Sequence, residues 1–356
     1  MKIAIVGPTH PYKGGIAQHT TGLAHQLQAA GHEVTLVSWR TQYPFFYPGI
    51  QFVPEDKPEV PVFENTKRVL SWKQPLGWAQ WARKLKKFDQ VIFVWWVPTI
   101  QGPVYSTMLR VLGRYVRTTV ICHNVSPHEG KPGDKLLTQS VLRRADEVMV
   151  HTEAQATIAK QLGVAKPRVA TMPLVAASKP QGRRQPSHEL LFFGFIRSYK
   201  GVDVLLKAVA RVPTAKLTIA GDFWGGADEY EALVTKLKLE DRVTIHNGYL
   251  DSSDLAEHIW NADAVVLPYK SGTATWNAKL AHLYGTPVIA TTASSLATQV
   301  HDGIDGLLCK PDDVDSLAAA IKDFYRPGTA ERLRAGVTPP PTTTDWERYI
   351  QTLLKH

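Results

Sequence analysis

Short apolar runs rich in β-branched residues recur along the whole chain, and most are followed by an amphipathic stretch long enough for a helix. In the first half they fall at residues 2–6, 33–38, 90–94, 118–123, 147–151 and 168–172. In the second they fall at 189–194, 215–220, 242–246, 264–268, 287–290 and 306–309. Nearly continuous apolar strands separated by helices imply parallel sheets covered on both faces. Six strands in each half predict an α/β protein of two doubly wound domains, and a length of 356 residues fits two domains better than one.

Composition places the boundaries. Residues 175–188 hold two prolines and a Gly-Arg-Arg turn, lack strand or helix periodicity, and precede a fresh strand. They read as a linker between domains at 1–174 and 189–335. Three consecutive prolines near residue 340 forbid helix, and Thr344-Asp345-Trp346-Glu347 then forms a capping box. Residues 336–356 are therefore expected to form a proline bridge and a terminal helix that returns to the first domain. A hydrophobic share of 44% with 21% charged residues excludes a disordered chain. No run of 18 uncharged apolar residues occurs, and the N-terminal residues lack a signal-peptide layout. The two cysteines, Cys122 and Cys309, exclude a disulfide framework or a zinc cluster, so the expected location is the cytoplasm. Lys and Arg exceed Asp and Glu by 41 to 32, a surplus that favours anionic partners without choosing among them.

Three loops hold the chemistry. Gly14-Gly15-Ile16 follows the first strand and opens a helix, where free N–H groups bind phosphate; the same turn also serves as a plain βα connection. Gly194 ends a strand, and Arg197 and Lys200 follow before the helix near Val202. That puts both cations above the carboxyl end of a parallel strand, where α/β sheets place ligands. A guanidinium fork and a mobile ammonium together suit a diphosphate. Ser271, Gly272, Thr273, Ala274 and Thr275 lead into another helix and offer a nest of backbone donors, or an ordinary capped helix start.

In order along the chain, Gly14-Gly15-Ile16, the segment from Phe193 through Gly201, Pro268 through Thr273, Gly285 through Thr291, and His301 through Leu308 resemble the family 4 retaining glycosyltransferases. The resemblance spans essentially the whole chain. It implies the GT-B architecture, two Rossmann-like domains facing across a cleft, with a nucleotide-diphosphate sugar as co-substrate and no other cofactor. The base, uridine or guanosine, is left open, with base contacts expected around 221–224 and 247–250. The resemblance further implies that Arg197 and Lys200 neutralise the donor diphosphate, that Gly14-Gly15-Ile16 approaches the same phosphates, and that His123 lies near the transferred sugar. His19, Asn124, His128 and Glu129 are candidate contacts for a hydroxyl acceptor, free or lipid-linked. Many members carry two glutamates eight residues apart in the donor loop and its helix; here Gly272 and Leu280 stand there. Donor contacts then fall to backbone amides, with Lys279 and His282 nearby but unassigned. No Asp-x-Asp motif stands out, so transfer is expected to proceed without metal, and the resemblance implies that it proceeds with retention.

Residues 71–87 combine Trp72, Trp78 and Trp81 with Arg83, Lys84, Lys86 and Lys87. This pattern suits either peripheral docking on an anionic membrane or a helix that buries its tryptophans under a lysine-coated face. Two other functions stay open at this point: a nucleotide-sugar epimerase, which would isomerise donor without acceptor, and a basic nucleic-acid-binding protein. The latter lacks any recognition-helix, finger or RNA-binding signature, so nucleic acid is not an expected partner.

Overall fold

The computed structural model describes the chain except residues 44–51, 53–59, 126–131, 176–179, 181–186, 249, 272–274, 294–295, 341–342 and 356. It divides into two compact units, Met1–Val175 with Pro341–His356, and Ala176–Pro340. The first unit runs β1 (Lys2–Val6), α1 (Gly15–Ala29), β2 (Glu33–Thr41), β3 (Thr66–Ser71), α2 (Pro75–Leu85), β4 (Gln90–Trp95) and α3 (Pro98–Leu112). It continues through β5 (Arg117–Cys122), α4 (Asp134–Leu142), β6 (Glu147–Val150), α5 (Glu153–Gln161) and β7 (Arg168–Val169). The second unit runs β8 (Glu189–Phe193), α6 (Val202–Ala210), β9 (Lys216–Gly221), α7 (Asp228–Lys236), β10 (Val243–Asn247), α8 (Ser252–Asn261) and β11 (Ala264–Leu267). It ends with α9 (Asn277–Leu283), β12 (Val288–Thr291), α10 (Leu296–Gln299), β13 (Gly306–Cys309), α11 (Val314–Phe324) and α12 (Thr329–Gly336). The final helix α13 (Thr343–Leu354) belongs to the first unit.

Both sheets are parallel, ordered β3-β2-β1-β4-β5-β6-β7 and β10-β9-β8-β11-β12-β13. The central strands follow from their sequences. Ile3, Ala4 and Ile5 of β1 and every residue of β4 are buried, as strands covered on both faces must be. Helix α6 presents Val202, Val204, Leu205, Leu206, Ala208 and Val209 to the second core, while Asp203 and Lys207 stay on its outer side. Among the described residues no helix is long and apolar enough to cross a membrane.

One expectation needs correction, and one open choice is resolved. The first sheet has seven strands, because residues 66–71 (TKRVLS) form the edge strand β3. An edge strand has one neighbour and tolerates exposed Lys67 and Arg68, so it lacks the apolar run that marks the inner strands. The tryptophans of 71–87 are turned into the fold: Trp78 is buried and its Nε1 donates to the Ser71 carbonyl oxygen at 2.6 Å. Trp72 and Trp81 pack against the same core, with Lys73 and Lys84 lying over their rings. This is the arrangement of a lysine-coated face over indoles turned toward the core, with Trp78 buried and Trp72 and Trp81 partly so.

Helix α13 packs on α1. Trp346 contacts the bare backbone of Gly22, where a Cβ would lie 3.2 Å from the indole. Arg168 and Arg117 donate to the carbonyl oxygens of Thr352 and Lys355, which places cations on the last carbonyls of the helix.

Candidate functional site

The second sheet changes direction between β8 and β11, and ligands of open α/β sheets bind outside the carboxyl ends of the strands at such a point. Three loops meet there in backbone contacts that only glycine permits. A Cβ on Gly201, whose φ is 70°, would lie 2.0 Å from the Pro268 carbonyl oxygen. One on Gly221 would lie 1.9 Å from the Gly194 carbonyl oxygen. The Lys270 N–H donates to the Tyr199 carbonyl oxygen at 2.7 Å, and the Asn277 amide donates to that of Phe193 at 2.9 Å. Asn277 therefore ties the start of α9 to the end of β8.

On this platform sit Arg197 and Lys200, joined by a short 3-10 turn over Ser198–Lys200. The Arg197 guanidinium lies 4.0 Å from the centre of the Trp224 ring and 5.2 Å from that of Phe195. Lys200 Nζ stands 5.4 Å from the Tyr269 ring centre, and a Cβ added to Gly194 would meet it at 3.6 Å. Among the described residues no carboxylate pairs with Lys200. Lys270 next door is different, held by Asp203 at 3.0 Å and Asp312 at 3.5 Å. Burial pushes the Lys200 ammonium down to about 8, and the neighbouring Arg197 charge adds to the effect. Two crowded, part-buried cations are an environment that an anion relieves. Of the expected donor loop, Ser271 is exposed and Thr275 Oγ1 accepts the Asn277 N–H at 3.3 Å. Gly272, Thr273 and Ala274 lie outside the described residues. Leu280, at the second glutamate position, packs against the core. The contacts of Asn277, Tyr269 and Trp224 were not readable from spacing, since each acts across loops far apart in sequence.

In the first unit Gly14 takes a φ of 101°, and Gly15 is exposed with open space where a side chain would stand, so the first N–H groups of α1 are accessible. Ile16 packs partly on the core. His123 follows β5, where its N–H donates to the Trp95 carbonyl oxygen (2.9 Å) and its own carbonyl accepts from the Gln155 amide (2.8 Å). His123 is 8% exposed, and its ring makes edge contact with His19 at 5.0 Å and a tilted contact with His151 at 4.9 Å. Burial, then the neighbouring histidines, holds His123 well below the usual imidazole range, so the ring is neutral. Asn124 is partly exposed beside it. His128 and Glu129 lie outside the described residues. His19 departs from the expectation of an acceptor contact: it is 1% exposed, stacked on Trp346 at 5.4 Å and edge-on to Tyr349. Helix α13 seals the face of α1 that carries it.

Two parallel, doubly wound sheets of matching strand order, the second bearing a cationic crevice at its switch point, define an α/β protein of the GT-B type. Residues 14–174 match the family described as Glycosyl transferase 4-like domain, and residues 187–326 match Glycosyl transferases group 1. The chain belongs to the family 4 glycosyltransferases. It is 28% identical over 239 residues to the D-inositol 3-phosphate glycosyltransferase of Mycobacterium marinum, across 61% of this chain and 50% of that protein. It is 26% identical over 390 residues to the glycogen synthase of Mycobacterium tuberculosis, across 98% of this chain and 91% of that one. The chain thus spans about half the length of the inositol-phosphate glycosyltransferases it matches. In fold it is similar to Anabaena HepE in complex with UDP (TM-score 0.76, 16% identity, 99% of both chains). It is likewise similar to sucrose-phosphate synthase of Thermosynechococcus elongatus (TM-score 0.72, 17% identity, 99% of this chain and 95% of that one).

Proposed function

We propose that the protein moves a sugar from a nucleoside-diphosphate donor to a hydroxyl acceptor, with retention and without a metal ion. The observation that carries this reading is the pair Arg197 and Lys200 on the glycine-permitted platform of Gly194, Gly201 and Gly221. As the anomeric C–O bond breaks, its electron pair passes to the diphosphate, and fixed cations stabilise that growing charge. The sugar becomes oxocarbenium-like. The acceptor hydroxyl attacks from the same face, forming the new C–O bond while its proton passes to the leaving phosphate oxygen. Neutral His123 supplies a hydrogen bond to the sugar or the acceptor.

UDP is the first probe, because HepE, similar in fold, is described in complex with UDP and with UDP-glucose. Calorimetry with UDP and GDP tests the reading. One of them is expected to bind saturably, and R197A and K200A each to weaken it at least about tenfold, the scale of a lost charged hydrogen bond. Failure of every nucleoside diphosphate to bind would overturn the proposal. Product NMR then reads the anomeric configuration, and turnover in EDTA reads the metal requirement. Isomerised donor without acceptor would mark an epimerase instead.

A further inference from the structure

The first unit holds a second built pocket, of about 520 Å3, at the carboxyl side of its sheet. The loop after β1 contributes His10 and Tyr12, the end of β2 contributes Trp39 and Arg40, and β3 contributes Arg68. Its volume falls in the range of about 300–1,000 Å3 typical of small-molecule sites. Among the described residues its lining contains two arginines and no carboxylate. Arg68 is anchored by donating from Nε (3.2 Å) and Nη2 (2.7 Å) to the His10 carbonyl oxygen, and Arg40 by donating to Gln74 Oε1 at 2.9 Å. Both side chains are exposed, and among the described residues neither meets an acid, so their charge is held in place without being cancelled. The opposite character is supplied by aromatic rings. Tyr12 and Phe52 stand 5.1 Å apart, and the Tyr12 hydroxyl is fixed by accepting the Gln42 N–H at 3.0 Å.

An aromatic wall suits the C–H face of a sugar or polyol, and two guanidinium forks suit the oxygens of a phosphate ester. We infer that this pocket, framed by Arg40, Arg68, Tyr12 and Phe52, receives an acceptor that carries a phosphate ester next to its sugar or polyol ring. The inference rests on the glycosyltransferase reading and names the acceptor class for it. The phosphate ester can come from a water-soluble sugar phosphate or from a lipid-linked one, and both present anionic phosphate oxygens to the arginines.

Calorimetry on the whole chain with matched probes tests this: glucose, glucose 1-phosphate, and dodecyl phosphoglucose in detergent micelles. The phosphorylated probes are expected to bind at least tenfold more tightly than glucose, with R40A and R68A each removing most of that preference. UDP affinity is expected to be unchanged in both variants, and melting temperature nearly so because both residues are exposed. Equal binding of the two phosphorylated probes identifies a soluble acceptor, tighter binding of the dodecyl ester a lipid-linked one, and each supports the pocket. Binding of glucose as tightly as its phosphate, or a phosphate preference that survives both variants, overturns it. UDP affinity separates the two hypotheses: a chain that binds UDP without the phosphate preference loses only this inference, whereas one that binds no nucleoside diphosphate loses the transferase reading itself.

Discussion

Lys200 is a cation whose charge is only just kept at neutral pH. Its ammonium is pushed down to about 8 by burial and by Arg197, so the empty site loses a positive charge as pH rises through that value. A bound diphosphate favours the protonated form, and binding above pH 8 therefore requires proton uptake. The affinity for UDP is expected to fall by up to tenfold per pH unit above pH 8 and to be flat from pH 6 to 7.5. K200R, whose guanidinium does not titrate, should abolish the fall; a wild-type affinity that is level to pH 9.5 would remove Lys200 from the phosphate site. The same corner depends on Gly221, where any side chain meets the Gly194 carbonyl oxygen at 1.9 Å. Gly221→Ala should lower stability by about 2 kcal/mol or more, read by denaturant unfolding, and weaken UDP binding with it. Arg197 and Lys200 were legible in the chain because a strand ending in glycine, two cations and a helix start are local features. Asn277, Tyr269 and Trp224 were not, since what fixes them is a contact with a loop tens of residues away.

At the scale of the element, α13 and the three histidines beneath it form one unit of stability. His19, His123 and His151 are all buried, and burial is the first cause that lowers each, with His151 pushed down to about 4. Around them stand Trp346, Tyr349 and Cys122, with Tyr349 and Cys122 both kept neutral by burial. In the unfolded chain the histidines protonate near their ordinary value of 6.5, so the unfolded state binds more protons below that pH. Their contribution is therefore fully present above about pH 6.5 and is lost as pH falls, through about pH 4 for His151. Each histidine adds a slope of about 1.4 kcal/mol per pH unit within its window. Urea unfolding at pH 7.5, 6 and 5 should show stability falling steeply, and replacing His19 and His151 with glutamine should flatten the curve. Trp346→Ala should cost about 3–5 kcal/mol, as truncation of a buried aromatic does, and an unaltered melting temperature would show that α13 is not anchored as described. The sequence announced α13 through the proline run before it, although the helix begins at Thr343, ahead of the expected cap at Thr344, while the histidine cluster stayed hidden because its members come from α1, β5 and β6 ends far apart in the chain. The strand β3 was hidden for the opposite reason, its polar surface being what an edge strand needs.

The two units repeat one strand order, β3-β2-β1-β4-β5-β6 and β10-β9-β8-β11-β12-β13, although no internal repeat is visible residue by residue. Burial pattern and crossover chirality narrow such a sheet to a few topologies, so the apolar runs disclosed two doubly wound sheets but not the edge strand β3. The net charge of +9 disclosed less, because a count does not say which cations the fold brings together at the switch point of one sheet. This division of labour gives the sharpest prediction. The proposed donor cations Arg197 and Lys200 lie in the second unit and His123 in the first, so removing the histidine is expected to touch transfer and spare the nucleotide. For His123→Ala the expected outcome is turnover reduced about tenfold or more, the usual scale of a lost proton-transfer or hydrogen-bonding group, with UDP affinity within twofold of the parent. R197A should show the reverse emphasis, with UDP affinity lost first. Because His123 is also part of the buried cluster, its melting temperature is measured beside both, and His19→Gln serves as the control that disturbs the cluster from the sealed side. If His19→Gln lowers turnover as much as His123→Ala does, the loss reports packing of α13; only a selective fall for His123→Ala places its imidazole at the sugar.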